Sequence, residues 1–256
     1  MTDESIVAKY ASHDFLTYED FRQRALDAGM SPYEKVGFPD EYRKEYEANI
    51  FADILAKLPA LRAEGRRVLN IGCGCSDNVR MLIAHCEQHG HALHLLDSAE
   101  MLSCLPESRA VTKIQGRFPD NLERVPQAAA GGYDAIIVYS VLHNAMIDAN
   151  PFSFVDAAVG LLAPGGALLI GDLPNISKRN RFFASETGVA YHQSFTKSDE
   201  RPTVEPYQIS VKRIDDGMVF GLMLRYRNFG FETYLLPESS DIHFSNRRED
   251  MLIVRN

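Results

Sequence analysis

The chain is 256 residues long, 45% hydrophobic and 24% charged, the balance of an ordinary globule with enough length for one sizeable core. Its formal charge of −8 leaves no excess of basic residues, which argues against a role built on holding a nucleic-acid backbone. No apolar run reaches the roughly 18 residues of a membrane span, and neither a signal-peptide pattern nor a repeat is present, so a cytoplasmic protein without membrane or nucleic-acid partners is expected.

Residues 1–65 have helical character and no strand pattern, and are expected to form a helical N-terminal extension or lid. TYEDFRQRALDAG begins with Thr17 as a cap and stops at Gly29. FPDEYRKEYEANIFADILAKLPAL places Tyr42, Tyr46, Ile50, Ile54 and Leu58 on one helical stripe that reads as core. Between them lies SPYEKVGFPDEY, a turn-rich aromatic linker that could fold over a ligand; Tyr33 and Lys35 are its candidate substrate contacts.

From Arg66 the pattern changes to alternating strands and helices through residue 256. VLNIGCGCSDN sends an apolar strand straight into a turn in which Gly72 and Gly74 remove the Cβ atoms that would keep a ligand off the backbone, and Ser76 and Asp77 are placed to cap the next helix. ALHLLDSAEML ends a second strand at Asp97, 23 residues after Gly74, close to the spacing of a carboxylate that accepts ribose hydroxyls; Asp97 can also cap the helix starting at Ser98 or Ala99. A third strand ends near Gln115. YDAIIVYSVLHNA, Tyr133 to Ala145, reads as a fourth, apolar on both faces as a central parallel strand requires. A helix over FSFVDAAVGLL, a Pro164-Gly165-Gly166 turn and a fifth strand from Ala167 to about Ile170 follow. The connection at about 174–216 is far longer than usual and is expected to be a substrate-side insertion walled by Phe182, Phe183, Tyr191, His192 and Phe195. A helix near Met218 to Asn228 and strands around Phe231–Glu238 and Glu249–Asn256 close the chain.

Cys73, Cys75, Cys86 and Cys104 invite a metal reading beside His85, His89, His91 and His94, but a one-residue gap between thiols inside a tight turn does not converge on a tetrahedral ion. No metal is expected, the histidines read as solvated surface, and free thiols suit a reducing compartment. Lys178, Arg179 and Arg181 lie just past the fifth strand, where an anionic part of a substrate could meet them.

Four ordered segments, NIGCGCSDN, LLDSAEML, YDAIIVYSVLHN and LLAPGGALLIGD, together resemble class I S-adenosylmethionine-dependent methyltransferases over roughly Arg66 to Asn256, and more loosely those of bacterial small-molecule or surface-sugar pathways. The resemblance implies a Rossmann-like α/β three-layer sandwich with a seven-stranded, mostly parallel sheet and an antiparallel last strand. It implies S-adenosyl-L-methionine as cofactor, with Asn70, Gly72 and Gly74 at the amino-acid end, Asp97 and Ser98 at the ribose, Arg117 and Phe118 at the adenine, and Tyr139 and Ser140 beside the sulfonium. Asn70 departs from the pattern, standing where the family favours a carboxylate. The implied reaction is methyl transfer to a small-molecule hydroxyl, with His143, Asp172 and His192 as candidate bases and Tyr33, Lys35, Arg179, Arg181 and Tyr191 as substrate contacts. A homodimer is compatible with this reading. Two rivals remain open: a scaffold that keeps the fold without catalysis, and a nicotinamide-dependent oxidoreductase, which would show a fuller G-x-G-x-x-G turn than one with Asp77 in its last position.

Overall fold

The computed structural model describes residues 16–126, 131–204 and 213–256. Seven strands form one sheet in the order β3-β2-β1-β4-β5-β7-β6. They are β1 (Arg67–Ile71), β2 (Ala92–Asp97), β3 (Val111–Gln115), β4 (Tyr133–Tyr139), β5 (Leu162–Pro174), β6 (Phe231–Pro237) and β7 (Arg248–Arg255). β1 through β5 pair in parallel, while β7 runs antiparallel to both β5 and β6. The sheet has the seven-stranded, Rossmann-like methyltransferase arrangement expected from the sequence. Its order reverses between β1 and β4, and the crevice outside the carboxyl ends of strands at such a reversal is where open α/β sheets bind ligands.

Both faces of the sheet are covered because the central strands are apolar on alternate sides in both directions. Leu69, Ile136, Val138, Leu168 and Ile170 pack against α8 (Pro151–Gly160) and α11 (Asp216–Asn228) through Phe154, Val155, Ala158, Val219 and Leu222. Val68, Leu93, Leu95, Ile137 and Leu169 face the other way, onto α4 (Glu47–Lys57) and α5 (Asp77–Gln88) through Ile50, Ile54, Val79 and Leu82. The stripe read from the sequence therefore is core, with Ile50, Ile54 and Leu58 buried. Thr17 closes a reciprocal capping box with Asp20 at the start of α1 (Tyr18–Leu26), as its position suggested.

Several expectations need correction. β4 stops at Tyr139, because Ser140 takes φ +59° and the chain turns into α7 (Leu142–Asp148); His143 therefore sits on a helix, not at a strand end. β5 is longer than expected and includes the Pro-Gly-Gly segment, which lies in the register shift between the Tyr133–Leu162 and Ala135–Ala167 pairs with β4. The long connection after it carries α9 (Ile176–Ala184) and α10 (Glu186–Thr196), while its residues 205–212 lie outside the described part. The linker SPYEKVGFPDEY holds two short helices, α2 (Pro32–Lys35) and α3 (Asp40–Arg43). The histidines are not simply surface groups. His91 is buried, accepts the Arg66 amide at Nδ1 and meets the Leu61 carbonyl at Nε2, and His85 meets the same carbonyl, so together they tie the turn before β1 to the end of α5.

Candidate cofactor cleft and acceptor wall

The turn after β1 lies at the sheet's reversal. Gly72 and Gly74 adopt φ +66° and +64°, a region that L side chains rarely enter. A Cβ on Gly72 would come within 2.7 Å of Val141, and one on Gly74 within 2.7 Å of Val36. The glycines are thus demanded by the protein's own packing as well as by any ligand. Gly74 N–H donates to Asp97 Oδ2 at 2.9 Å and Ser98 N–H to Oδ1 at 2.7 Å, so each carboxylate oxygen keeps a lone pair for a further donor. Burial pushes Asp97 up to about 6 against the pull of those two amides.

A cleft runs along this edge, with about 960 Å³ of empty space that includes the open solvent at its mouth. Gly72, Gly74, Asp97, Arg117, Phe118, Tyr139 and Ser140 all line it, so the structure gathers seven residues picked from four separate segments. Asn70 and Ser98 do not line it. Asn70 is buried within β1, and Ser98 Oγ accepts the Met101 amide to cap α6 (Ala99–Ser103).

The outer wall comes from the N-terminal segment, which sequence reasoning marked only as a lid. Tyr18, Phe21, Val36, Phe38 and Arg43 face the cleft. Tyr18 N–H donates to Asp148 Oδ2 at 3.0 Å, and burial together with the Asp97 charge pushes its hydroxyl up to about 12. Arg22 grips Glu100 with Nε at 3.0 Å and Nη2 at 2.5 Å, fastening α1 to α6. Tyr33 instead donates to Asp77 at 2.5 Å, and Lys35 Nζ lies 3.9 Å from Cys104 Sγ, so these two brace the segment rather than line the cleft.

Buried charge fixes the far end. Glu47 accepts from Arg43 Nε at 2.7 Å, from Ser76 Oγ at 2.9 Å and from the Asn78 amide at 2.5 Å. Ser76 occupies the N-cap position of α5 but turns its hydroxyl to Glu47, so the carboxylate that caps this helix comes from the N-terminal segment. Asp172, at φ +58° on β5, is held by Arg248, by Ser140 Oγ and by Arg43 Nη1 at 3.4 Å, while its amide donates to Asp250 at 2.9 Å. Burial alone would raise it, but the two guanidinium groups and the Ser140 hydroxyl hold it below the usual carboxylate range. Ser140 and Asp172, two non-glycine residues in left-handed backbone, face each other at the ends of neighbouring strands, the kind of strain that collects at functional sites.

His143 stands near this network. Asn144 Nδ2 donates to the Ser140 carbonyl at 3.3 Å, which identifies its NH₂ end, and the same nitrogen lies 3.1 Å from His143 Nε2. Nε2 therefore accepts, the ring proton sits on Nδ1, and Nδ1 is buried without a partner. Burial, with Arg248 and Arg43 adding to it, pushes His143 down to about 4. Of the insertion residues, Arg181 is paired with Asp216, whereas Arg179 lies 4.9 Å over Phe183, which His192 meets edge-on at 6.0 Å, and Tyr191 stacks on Phe195. Among the described residues, no group of three or more His, Cys, Asp and Glu side chains is arranged to hold a metal ion.

No family model and no curated protein matches the chain. Solved structures do. The plantazolicin methyltransferase BamL, in complex with a triazolic desmethylPZN analog and SAH, is 15% identical, with 93% of this chain and 98% of that chain covered at a TM-score of 0.56. The plantazolicin methyltransferase BpumL in complex with SAH is 13% identical over 99% of this chain and 98% of that one, with a TM-score of 0.55. The CurJ carbon methyltransferase is 18% identical over 98% of this chain and 69% of that one, again at 0.55. At these identities the likeness establishes the fold, that of the class I methyltransferases.

Proposed function

We propose that the protein is an S-adenosylmethionine-dependent methyltransferase acting on a hydroxyl of a small molecule. The observation that carries this reading is the buried Asp97 carboxylate, set 23 residues beyond Gly74 in sequence yet bonded to its amide, in a cleft at the sheet's reversal. Neighbours of the same fold that hold SAH support it. The residues present fit the cofactor: Asp97 has lone pairs for two ribose hydroxyls, Phe118 and Arg117 offer a flat wall for adenine, and Tyr139 and Ser140 flank the end where Arg43 closes the cleft. When bound, the cofactor supplies an activated methyl group on sulfur.

Little acid–base chemistry is then required of the chain, and alignment of the acceptor is its main task. Asp172, ion-paired on both sides, is a weak base and acts by holding Arg43, Arg248 and Ser140 in place. His143 is not among the residues lining the cleft, but its ring meets Asn144, which with Ser140 does line it, and its buried Nδ1–H suits it to orient an acceptor oxygen as a donor. His192 meets Phe183 edge-on and is not among the residues lining the cleft.

Calorimetric titration with S-adenosylhomocysteine tests the reading. Binding is expected, weakened about 10- to 100-fold in Asp97→Ala, the loss of hydrogen bonds to a charged group. No binding by the wild type at millimolar ligand would sink it, and an NADH titration that binds instead would revive the oxidoreductase. For His143, Gln retains an N–H donor and Ala does not. His143→Gln is therefore expected to keep more turnover than His143→Ala; equal losses, with an acid limb near pH 4 in the wild-type rate profile at saturating cofactor that both variants lack, would make the imidazole a base instead.

A further inference from the structure

The segment entering β7 places a cation against aromatic rings, with no anionic partner among the described residues. The Arg247 guanidinium lies 4.1 Å over the Phe244 ring, 5.4 Å over Phe183 and 5.9 Å over Tyr191, but takes part in no ion pair among the described residues. Its buried neighbours differ. Arg43 is paired with Glu47 and Asp172, Arg248 with Asp172, and Lys57 with Asp53 and Asp250. Arg247 is half-buried, and a guanidinium stacked on rings rather than ion-paired keeps its N–H donors for an anion. Burial, with Arg248 and Arg179 adding to it, lowers Arg247 to about 10.

Two further polar atoms on the same loop are buried without partners among the described residues, His243 Nε2 and Asn246 Oδ1, of which only the imidazole nitrogen can carry a proton toward an anion. Phe244 between them is held at φ +70°. His243 stacks on Tyr42 at 4.9 Å, and burial with the two arginines pushes it down to about 4, so it adds no charge of its own near neutrality. The loop is continuous with the cofactor cleft: Phe244 touches both Arg247 and Arg248, and Phe38, on the cleft wall, lies 5.6 Å beneath Arg248 and 4.5 Å beneath Arg43.

We infer that Arg247, with the unpartnered His243 Nε2 beside it and the Phe183 and Tyr191 rings around it, is a subsite for an oxyanion carried by the methyl acceptor, a phosphate or a carboxylate. Resting on the methyltransferase reading, this sharpens the sequence expectation of an anion near Lys178, Arg179 and Arg181. Lys178 donates to the Arg248 carbonyl and Arg181 pairs with Asp216, whereas Arg247 has no ion pair among the described residues.

The test compares phenyl phosphate, benzoate and uncharged phenol as probes, titrated into the wild type, Arg247→Gln and Arg247→Lys with saturating S-adenosylhomocysteine present. At low salt the wild type is expected to bind at least one of the two anions tenfold or more tightly than phenol, and which one distinguishes a phosphate from a carboxylate. Arg247→Gln should erase the preference while binding S-adenosylhomocysteine as the wild type does, and Arg247→Lys should retain part of it. A wild type that does not prefer either anion to phenol overturns the subsite, as does an Arg247→Gln variant that keeps the full preference. Should Arg247→Gln not fold, the wild-type preference must still shrink between about 50 and 500 mM salt, and a salt-independent preference overturns the proposal. Failure of the wild type to bind S-adenosylhomocysteine would instead fault the methyltransferase reading, since the anion preference is measured separately.

Discussion

At the scale of single residues, Asp97 and Glu238 show how burial without full pairing sets protonation. Asp97 is lifted to about 6 by burial, so a drop in pH protonates it before an ordinary carboxylate and removes an acceptor for ribose hydroxyls. The dissociation constant for S-adenosylhomocysteine is therefore expected to rise as pH falls through about 6 in the wild type, with a flatter response in Asp97→Asn; identical pH curves would remove Asp97 from the ribose. Both Glu238 oxygens are buried without a hydrogen-bond partner, and burial with the Asp172 and Asp250 charges raises this carboxyl to about 9. Because the folded state keeps a proton that the unfolded chain has lost above about 4.5, stability falls as pH rises toward 9, by up to about 1.4 kcal/mol per pH unit. Denaturant titrations from pH 6.5 to 9 should show this decline in the wild type and a shallower one in Glu238→Gln. Asp97 was legible in the sequence because its spacing from Gly74 is local to one strand–helix–strand unit. Glu238 was not, because its character arises from groups on β5 and β7 that no local pattern announces.

At the scale of elements, the helices before β1 do more than cover a core. α4 supplies the carboxylate that satisfies the start of α5, and α3 ends in the arginine that reaches Asp172 on β5, 129 residues away in sequence. Glu47→Ala leaves Arg43 short of a buried partner and the α5 amide uncapped, so a loss of roughly 3 to 5 kcal/mol is expected on chemical denaturation. Glu47→Ala with Arg43→Met should cost less than the sum of the two single substitutions, because the contact between these side chains is lost only once; strict additivity would contradict the coupling. The alternating strands, the capped helix at Thr17 and the core stripe at Ile50, Ile54 and Leu58 were readable, since each is a repeat or a cap confined to one element. α2 and α3 were not readable: each is four residues long, too short for a hydrophobic period, and each is held by distant contacts. The same limit hid Tyr18, Phe38 and Arg43 from the list of cleft residues. His143 was misplaced because an apolar run does not mark where a left-handed Ser140 converts a strand into a helix.

For the whole molecule, the sheet and the segment wrapped over its reversal form one unit around the cleft. Glu47 makes the amide of Asn78, in the first turn of α5, depend on a side chain from α4 in the N-terminal segment. Whenever the N-terminal segment lifts away, that amide hydrogen is released to solvent, and whenever it settles the hydrogen is protected again. The exchange rate at Asn78 therefore keeps time for opening and closing of the site. A ligand that needs the closed arrangement, and touches neither Glu47 nor Asn78, must slow that clock by the same factor that closure strengthens its own binding.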